Sequence, residues 1–189
     1  MNNSGWYTTQ ELHNFGINKI GKNVYISNKV SIYGGKNIEI GDNVRIDDFC
    51  VLAANGGKLV FYGYNHIAAF CYINSAGGVE FGEFAGLSSR CSLYSASDNY
   101  DGSCLTNPTV PENYLSVKKS PIVLKKHVII GTNSVVLPGC TLEQGVAVGA
   151  NSLVNKSLPE FVIAVGNPAK PIKDRKKDLI NLEKELKGA

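Results

Sequence analysis

The sequence is poor in the side chains that most often carry chemistry. Three histidines, five cysteines, one methionine and one tryptophan stand among 189 residues. Five cysteines with no secretory context do not make a disulfide framework. Charge is also scarce: 19% of the residues are Asp, Glu, Lys or Arg, and the formal net charge of +3 is too small a surplus to suggest a nucleic-acid partner. The densest basic run, K-D-R-K-K-D, is interleaved with acids, as on a solvated helix face. No apolar run approaches the roughly 20 residues of a membrane span, and MNNSGWYTTQELHNFG lacks the apolar stretch of a secretory leader. A cytoplasmic chain with no integral membrane segment is expected. Its 43% hydrophobic content suits one globular domain.

What the chain does have is a repeat. Large aliphatic and aromatic residues recur every sixth position from Lys19 onward: Ile20, Ile26, Ile32; Ile40, Ile46, Leu52; Phe61, Ile67, Ile73; Phe81, Leu87, Leu93; Leu124, Ile130, Val136; and Leu142, Val148, Val154. Small or branched residues such as Val24, Val44, Cys71, Ala85 and Val146 follow many of these anchors by four. A period of six matches neither a helix at 3.6 nor a long strand at 2. It matches a coil with three short flat sides, each turning one anchor inward. Gly34, Gly35, Gly56, Gly57, Gly77 and Gly78 are expected at corners that absorb extra residues. Between Leu93 and Leu124 the repeat breaks for a polar insertion, read as a loop over 94–121 without clear secondary structure.

Cys50, Cys71 and Cys91 each fall four residues after the middle anchor of a coil, and Cys140 four after Val136, so they read as small buried apolar groups. Cys104 stands alone in the insertion. Both ends look like covers for the open ends of a solenoid. Residues 1–18 form a helical cap, with a capping box in Thr8-Thr9-Gln10-Glu11 ahead of Leu12 and a stop at Gly16. Residues 19–171 form the coil domain. Ile172, Arg175, Leu179, Leu182 and Leu186, at alternating steps of three and four, predict a C-terminal helix over 172–189 with one apolar face.

The motifs I-G-D-N-V-R-I, H-V-I-I-G-T-N-S-V-V-L-P-G and V-A-V-G-A-N-S-L-V, in frame along the repeat, resemble those of the hexapeptide-repeat acyltransferases. Among these the galactoside and maltose O-acetyltransferases are the most similar. The resemblance covers Lys19 to Pro171 and implies an all-β solenoid, a left-handed parallel β-helix. It further implies a homotrimer with active sites between subunits, acetyl-CoA as co-substrate, and a sugar or nucleotide-sugar acceptor. The expected reaction is O-acetylation of a sugar hydroxyl in surface polysaccharide (O-antigen or capsule) assembly. The alternative is N-acetylation of a nucleotide-linked amino sugar.

The similar enzymes carry a catalytic histidine five residues past the last anchor before their loop. Here that position is Asp98. An unperturbed carboxylate is a weaker base than imidazole by about 2.6 pK units, and a hydroxyl acceptor needs its proton removed as it attacks. His66 of one subunit is therefore the expected base, with Asp98 from a neighbour's loop orienting it or binding sugar. Ser97, Asn99, Tyr100 and Asp101 are expected to bind the acceptor, or else only to form tight turns. His127 is expected to face outward and His13 to lie on the N-terminal helix surface. On the cofactor side the resemblance implies bare backbone at Gly131, Gly149 and Ala150 for the pantetheine arm. It also implies a V-G-N-P-A-K turn including Pro168, with Lys156, Lys170 and Arg175 at the phosphates. No metal site is read: a γ-type carbonic anhydrase, on the same fold, needs three histidines around zinc, and only His66 and His127 lie on the repeat, at unlike offsets. Xenobiotic acetylation and a non-catalytic structural trimer are the remaining alternatives.

Overall fold

The structure, a computed structural model, describes residues 5–188; residues 1–4 and 189, the outer limits of the two expected caps, lie outside the described residues. Strands of two to five residues stack in parallel, coil on coil, into three sheets. These are the sides of a left-handed parallel β-solenoid of about seven turns. The anchors meet in register. On the first face Ile20, Ile40, Phe61, Phe81, Leu124 and Leu142 pair in succession. On the second, Ile26, Ile46, Ile67, Leu87, Ile130 and Val148 do the same, and on the third Ile32, Leu52, Ile73, Leu93, Val136 and Val154. All but Ile20 and Ile32 are buried.

Two of the three corners turn mostly without glycine, Gly145 on the first being the exception at positive φ. Asn43, Tyr64, Phe84 and His127 at the first corner, and Phe49, Phe70 and Arg90 at the second, take left-handed backbone with φ between 58° and 65° or, for Tyr64, 51°. Such φ values are unfavourable for bulky residues, and stacking between coils offsets the strain. Tyr64 lies on Phe84 with ring centroids 4.5 Å apart, Phe84 on His127 at 5.0 Å, and Phe49 on Phe70 at 5.1 Å. The third corner holds the expected glycines and their extra residues, with Gly34 and Gly78 at positive φ. Inside the second corner the Cys50, Cys71 and Cys91 thiols each donate to a carbonyl one coil on, at Ala68, Ser88 and Gly131, all at 3.2 Å.

The N-terminal helix α1, Thr9–Asn14, has the expected capping box between Thr8 and Glu11 and buries Leu12. His13 is exposed, its Nδ1 2.7 Å from the Ile17 carbonyl.

Four expectations need correction. The insertion is not structureless: Ala96–Asp98 pairs antiparallel with Val117–Lys119, and Glu112–Tyr114 forms a 3-10 turn. Both ends of the insertion return to one corner, so their backbones lie side by side and satisfy each other. The C-terminal helix starts later than its spacing predicts. Lys170–Asp174 is a strand antiparallel to Val162–Val165, covering the edge that the last coil would otherwise leave open, and α2 spans only Leu179–Lys187. Nor does an apolar face hold that helix, since Leu182 and Leu186 stay 61% and 62% exposed. It is held by charge: Glu183 meets Lys126 at 2.6 Å, His127 at 2.7 Å and Lys187 at 3.0 Å, and Lys187 also reaches Glu83 at 2.8 Å. His127, expected outward, is consequently buried between Phe84 and α2. No helix among the described residues is long and apolar enough to cross a membrane.

Two outcomes are expected. Ile73 is fully buried in the third column, so Ile73→Ala should lower the unfolding free energy in urea by about 2–5 kcal/mol; a cost below about 1 kcal/mol would mean that the column does not carry the core. Burial pushes the Glu183 carboxyl up, but hydrogen bonds from Lys126, Lys187 and His127 outweigh it and hold the group down at about 2. A depressed acid stabilises the fold above its unfolded pKa, near 4.3, and that contribution fades as pH falls through the folded value. Helix α2 should therefore loosen between about pH 4.5 and 2, its amides exchanging before those of the coils. Simultaneous exchange of helix and coils would show that charge does not dock it.

Candidate active site

Two concave regions lie on adjacent faces. The first, a cleft of about 420 Å³, opens between the third face and the insertion. Asn74, Tyr94, Val135 and Leu137 project from the face, while Ala96, Ser97, Asp98, Tyr100 and Val117 come from the insertion. The antiparallel pairing sets Asp98 opposite Val117, which fixes the carboxylate on a strand rather than on a free loop. The predicted acceptor residues divide here. Ser97, Asp98 and Tyr100 line the cleft, and Tyr100 is 88% exposed at its rim. Asn99 and Asp101 hold a turn: Asn99 Oδ1 accepts from the Asp101 backbone, and Asp101 Oδ1 from the Ser103 backbone.

The second region is a trough of about 300 Å³ on the second face, lined by His66, Ala68, Gly86, Leu87, Ser88, Ser89, Ile129 and Thr132. His66 therefore does not share a cleft with Asp98 of its own chain. Its carboxylate partner within the chain is Asp47, whose Oδ2 lies 2.8 Å from His66 Nε2 while Oδ1 accepts from Arg45 Nε at 2.7 Å. Burial raises the Asp47 carboxyl, but the hydrogen bonds from Arg45 and His66 more than offset it and leave the group below the ordinary carboxylate range. Asp47 thus stays ionised and holds one imidazole nitrogen, leaving the geometry of a carboxylate-oriented histidine.

Neither Asp47 nor Ser88 stands out in a search for isolated motifs, yet both occupy one position of the repeat. The residues just after the second-face anchors are Ser27, Asp47, Ala68, Ser88, Gly131, Gly149 and, after Ala164, Val165. Below Ser88 this column is bare backbone at Gly131 and Gly149, and it ends at Val165, the first residue of the V-G-N-P-A-K turn. That turn is tied to the last coil, with Leu153 N–H donating to the Gly166 carbonyl and Ala169 N–H to the Leu153 carbonyl. Close stacking accounts for part of the bareness: a Cβ on Gly131 would lie 2.6 Å from the Ala150 nitrogen, and one on Gly149 2.6 Å from Val165 Cγ1. Ala150, Lys156, Pro168 and Lys170 are exposed. Arg175 is half-buried, and its Nη1 donates to the carbonyls of His127, Gly145 and Val146 at 2.8, 3.1 and 3.4 Å. Burial lowers its pKa.

No family model matches the chain. It is 44% identical over 177 residues to the dTDP-4-amino-4,6-dideoxy-D-glucose acyltransferase of Escherichia coli, covering 94% of this chain and 92% of that one. It is 32% identical over 155 residues to WbbJ of Escherichia coli, a putative lipopolysaccharide biosynthesis O-acetyl transferase, covering 79% and 74%. The fold superposes with a TM-score of 0.92 on AntD, an N-acyltransferase of Bacillus cereus, at 44% identity over 98% of this chain and 99% of that one. AntD has been solved as variants of a serine and of an aspartate ten positions further along its chain. The serine variant holds dTDP-4-amino-4,6-dideoxyglucose and coenzyme A, and the aspartate variant dTDP and coenzyme A. It has also been solved with dTDP and 3-hydroxybutyryl-CoA.

The contacts of Arg175 separate two roles for it. Removing a charged donor from three carbonyls should destabilise by about 2 kcal/mol, so Arg175→Met should melt roughly 4–8 °C below the parent. An unchanged melting point together with weaker binding of a phosphorylated ligand would return the guanidinium to phosphate recognition.

Proposed function

The chain belongs to the hexapeptide-repeat acyltransferases, and from that premise we propose that it transfers the acyl group of a coenzyme A thioester to the amino group of a nucleotide-linked amino sugar. The observation that carries this reading is a spacing. Ser88 and Asp98 are the only serine and aspartate of the chain ten residues apart in that order, the separation of the two residues varied in AntD. One lines the trough and the other the cleft. They lie on different faces of one chain, so the reading joins them across an interface, with Asp98 reaching over from the insertion of a neighbouring subunit in a homotrimer. The column through Gly131 and Gly149 would carry the pantetheine arm, with the 165–170 turn at the far end of the cofactor.

The chemistry suits the residues present. An amine with a pKa near that of an α-amino group, about 7.7–8.0, is partly neutral at physiological pH and attacks a thioester without a strong base. The C–N bond forms as the C–S bond breaks, and the amine proton leaves with the thiol. Asp98 would accept a hydrogen bond from the amine and fix its approach, and Ser88 would hold the reacting group from the other side. A carboxylate in place of the family's loop histidine is then adequate. A dTDP-linked 4-amino-4,6-dideoxy sugar, as named for the Escherichia coli relative, is the acceptor of choice, and surface polysaccharide assembly the setting.

O-acetylation is the second reading, favoured by the 32% identical O-acetyl transferase and by the Asp47-oriented His66. A thiol-release assay decides between the two. With acetyl-CoA the amino sugar nucleotide should be turned over and its hydroxyl counterpart should not. Asp98→Asn should lose about 10²-fold or more, and more than His66→Ala. Turnover of the hydroxyl sugar that collapses in His66→Ala would establish O-transfer.

A further inference from the structure

We propose that the trough on the second face is the acyl-chain pocket and that Gly86 sets the length of chain it takes. This rests on the acyl-transfer reading above, and it adds a determinant of the donor. The residues just before the second-face anchors form an outward column of Tyr25, Arg45, His66, Gly86, Ile129, Ala147 and Ile163. Six of its seven members have side chains, and the gap falls at Gly86, directly between His66 and Ile129 in register. Strands lie about 4.8 Å apart, so these two walls stand about 10 Å from each other across a floor of backbone.

The backbone conformation does not require glycine there, and at this buried position a Cβ would press on a single backbone oxygen. Gly86 has no positive φ, and a Cβ on it would meet only the His66 carbonyl oxygen at 3.0 Å, with the next atoms at 3.9 Å. At Gly131 and Gly149, by contrast, a Cβ would collide at 2.6 Å. The absent side chain at Gly86 therefore makes room rather than a turn.

The chemistry of the room fits a short uncharged chain. Ala68, Leu87 and Ile129 are apolar, Ser88, Ser89 and Thr132 add hydroxyls at the rim, and the one ionisable wall, His66, is held by Asp47. Phosphates and nucleotides find no fixed cation inside it. The location fits as well. With the thioester carbon at Ser88, the sulfur side of the donor runs down the bare column toward Gly131, and the acyl side enters the notch two residues back along the same strand.

The test compares acetyl-, propionyl- and butyryl-CoA with dTDP-4-amino-4,6-dideoxyglucose in the thiol-release assay, using the full chain and two variants that act in opposite directions. Each methylene accommodated or refused in an apolar pocket shifts kcat/KM by about 10- to 200-fold. Gly86→Ala should therefore lower the butyryl-to-acetyl ratio of kcat/KM by at least about 10-fold, and Ile129→Ala, which widens the notch, should raise it. Melting curves check that both variants are folded. A ratio that moves less than about twofold in both, or a loss shared equally by all three thioesters, overturns the pocket while leaving acyl transfer standing. Absence of turnover by the parent with every thioester would remove the transfer reading and the pocket with it.

Discussion

Everything in this molecule depends on the parallel register of its coils. Because each strand pairs with the strand one coil away at the same position, a residue's environment is set by its column, not by its neighbours in sequence. Inward columns are apolar because nothing polar could be satisfied there, and the corner columns are stacked rings or small thiols and hydroxyls. The outward columns are free of the core, and the chemistry collects there. The same register creates the main liability, an open edge at each end, and the chain closes those edges with α1 on one side and an antiparallel strand on the other.

The inward columns were fully legible in the sequence, since a period of six is visible without any alignment and all eighteen anchors pair as it predicts. The break in the repeat marked the insertion correctly for the same reason. What escaped was whatever the register does not dictate. The hairpin within the insertion follows from its two ends leaving one corner together, which spacing along the chain does not display. Ile172 continues a helical spacing but sits on an edge strand, with Arg175 just past its end, because an open sheet edge outweighs the weak propensity of a short segment. Left-handed Phe, Tyr and His at the corners run against intrinsic preference and are explained only by rings one coil away.

The candidate site shows the same division. Asp98 reaches the cleft because it occupies a defined place after the last anchor, and Ser97 and Tyr100 accompany it there. Asn99 and Asp101 were chosen for their polarity, which the turn itself consumes. Asp47 and Ser88 are legible only by column, since the positions beside each anchor put them in line with Gly131 and Gly149. His127 shows why a count of ionisable groups is a poor guide. It is as rare as His66, yet its ring stacks on Phe84 and its nitrogen faces Glu183, so it belongs to the docking of α2.

That separation of columns has a consequence for specificity. Away from the tightly stacked Gly131 and Gly149, outward side chains project away from the inward columns, so on the proposed reading acceptor and acyl contacts could vary on one scaffold. An enzyme that loses the loop histidine therefore need not lose its activity; it changes which acceptor is easy. A hydroxyl needs a base strong enough to share its proton in the transition state, whereas an amine arrives with its lone pair free in a substantial fraction of molecules at neutral pH. On the proposed reading, with a carboxylate at position 98 and the Asp47-held imidazole of His66 on another face, the chain would position a nucleophile rather than deprotonate one. Positioning by itself is worth several orders of magnitude in rate, and the rigid parallel ladder beneath Ser88, with the hairpin beneath Asp98, supplies the stiffness that positioning demands.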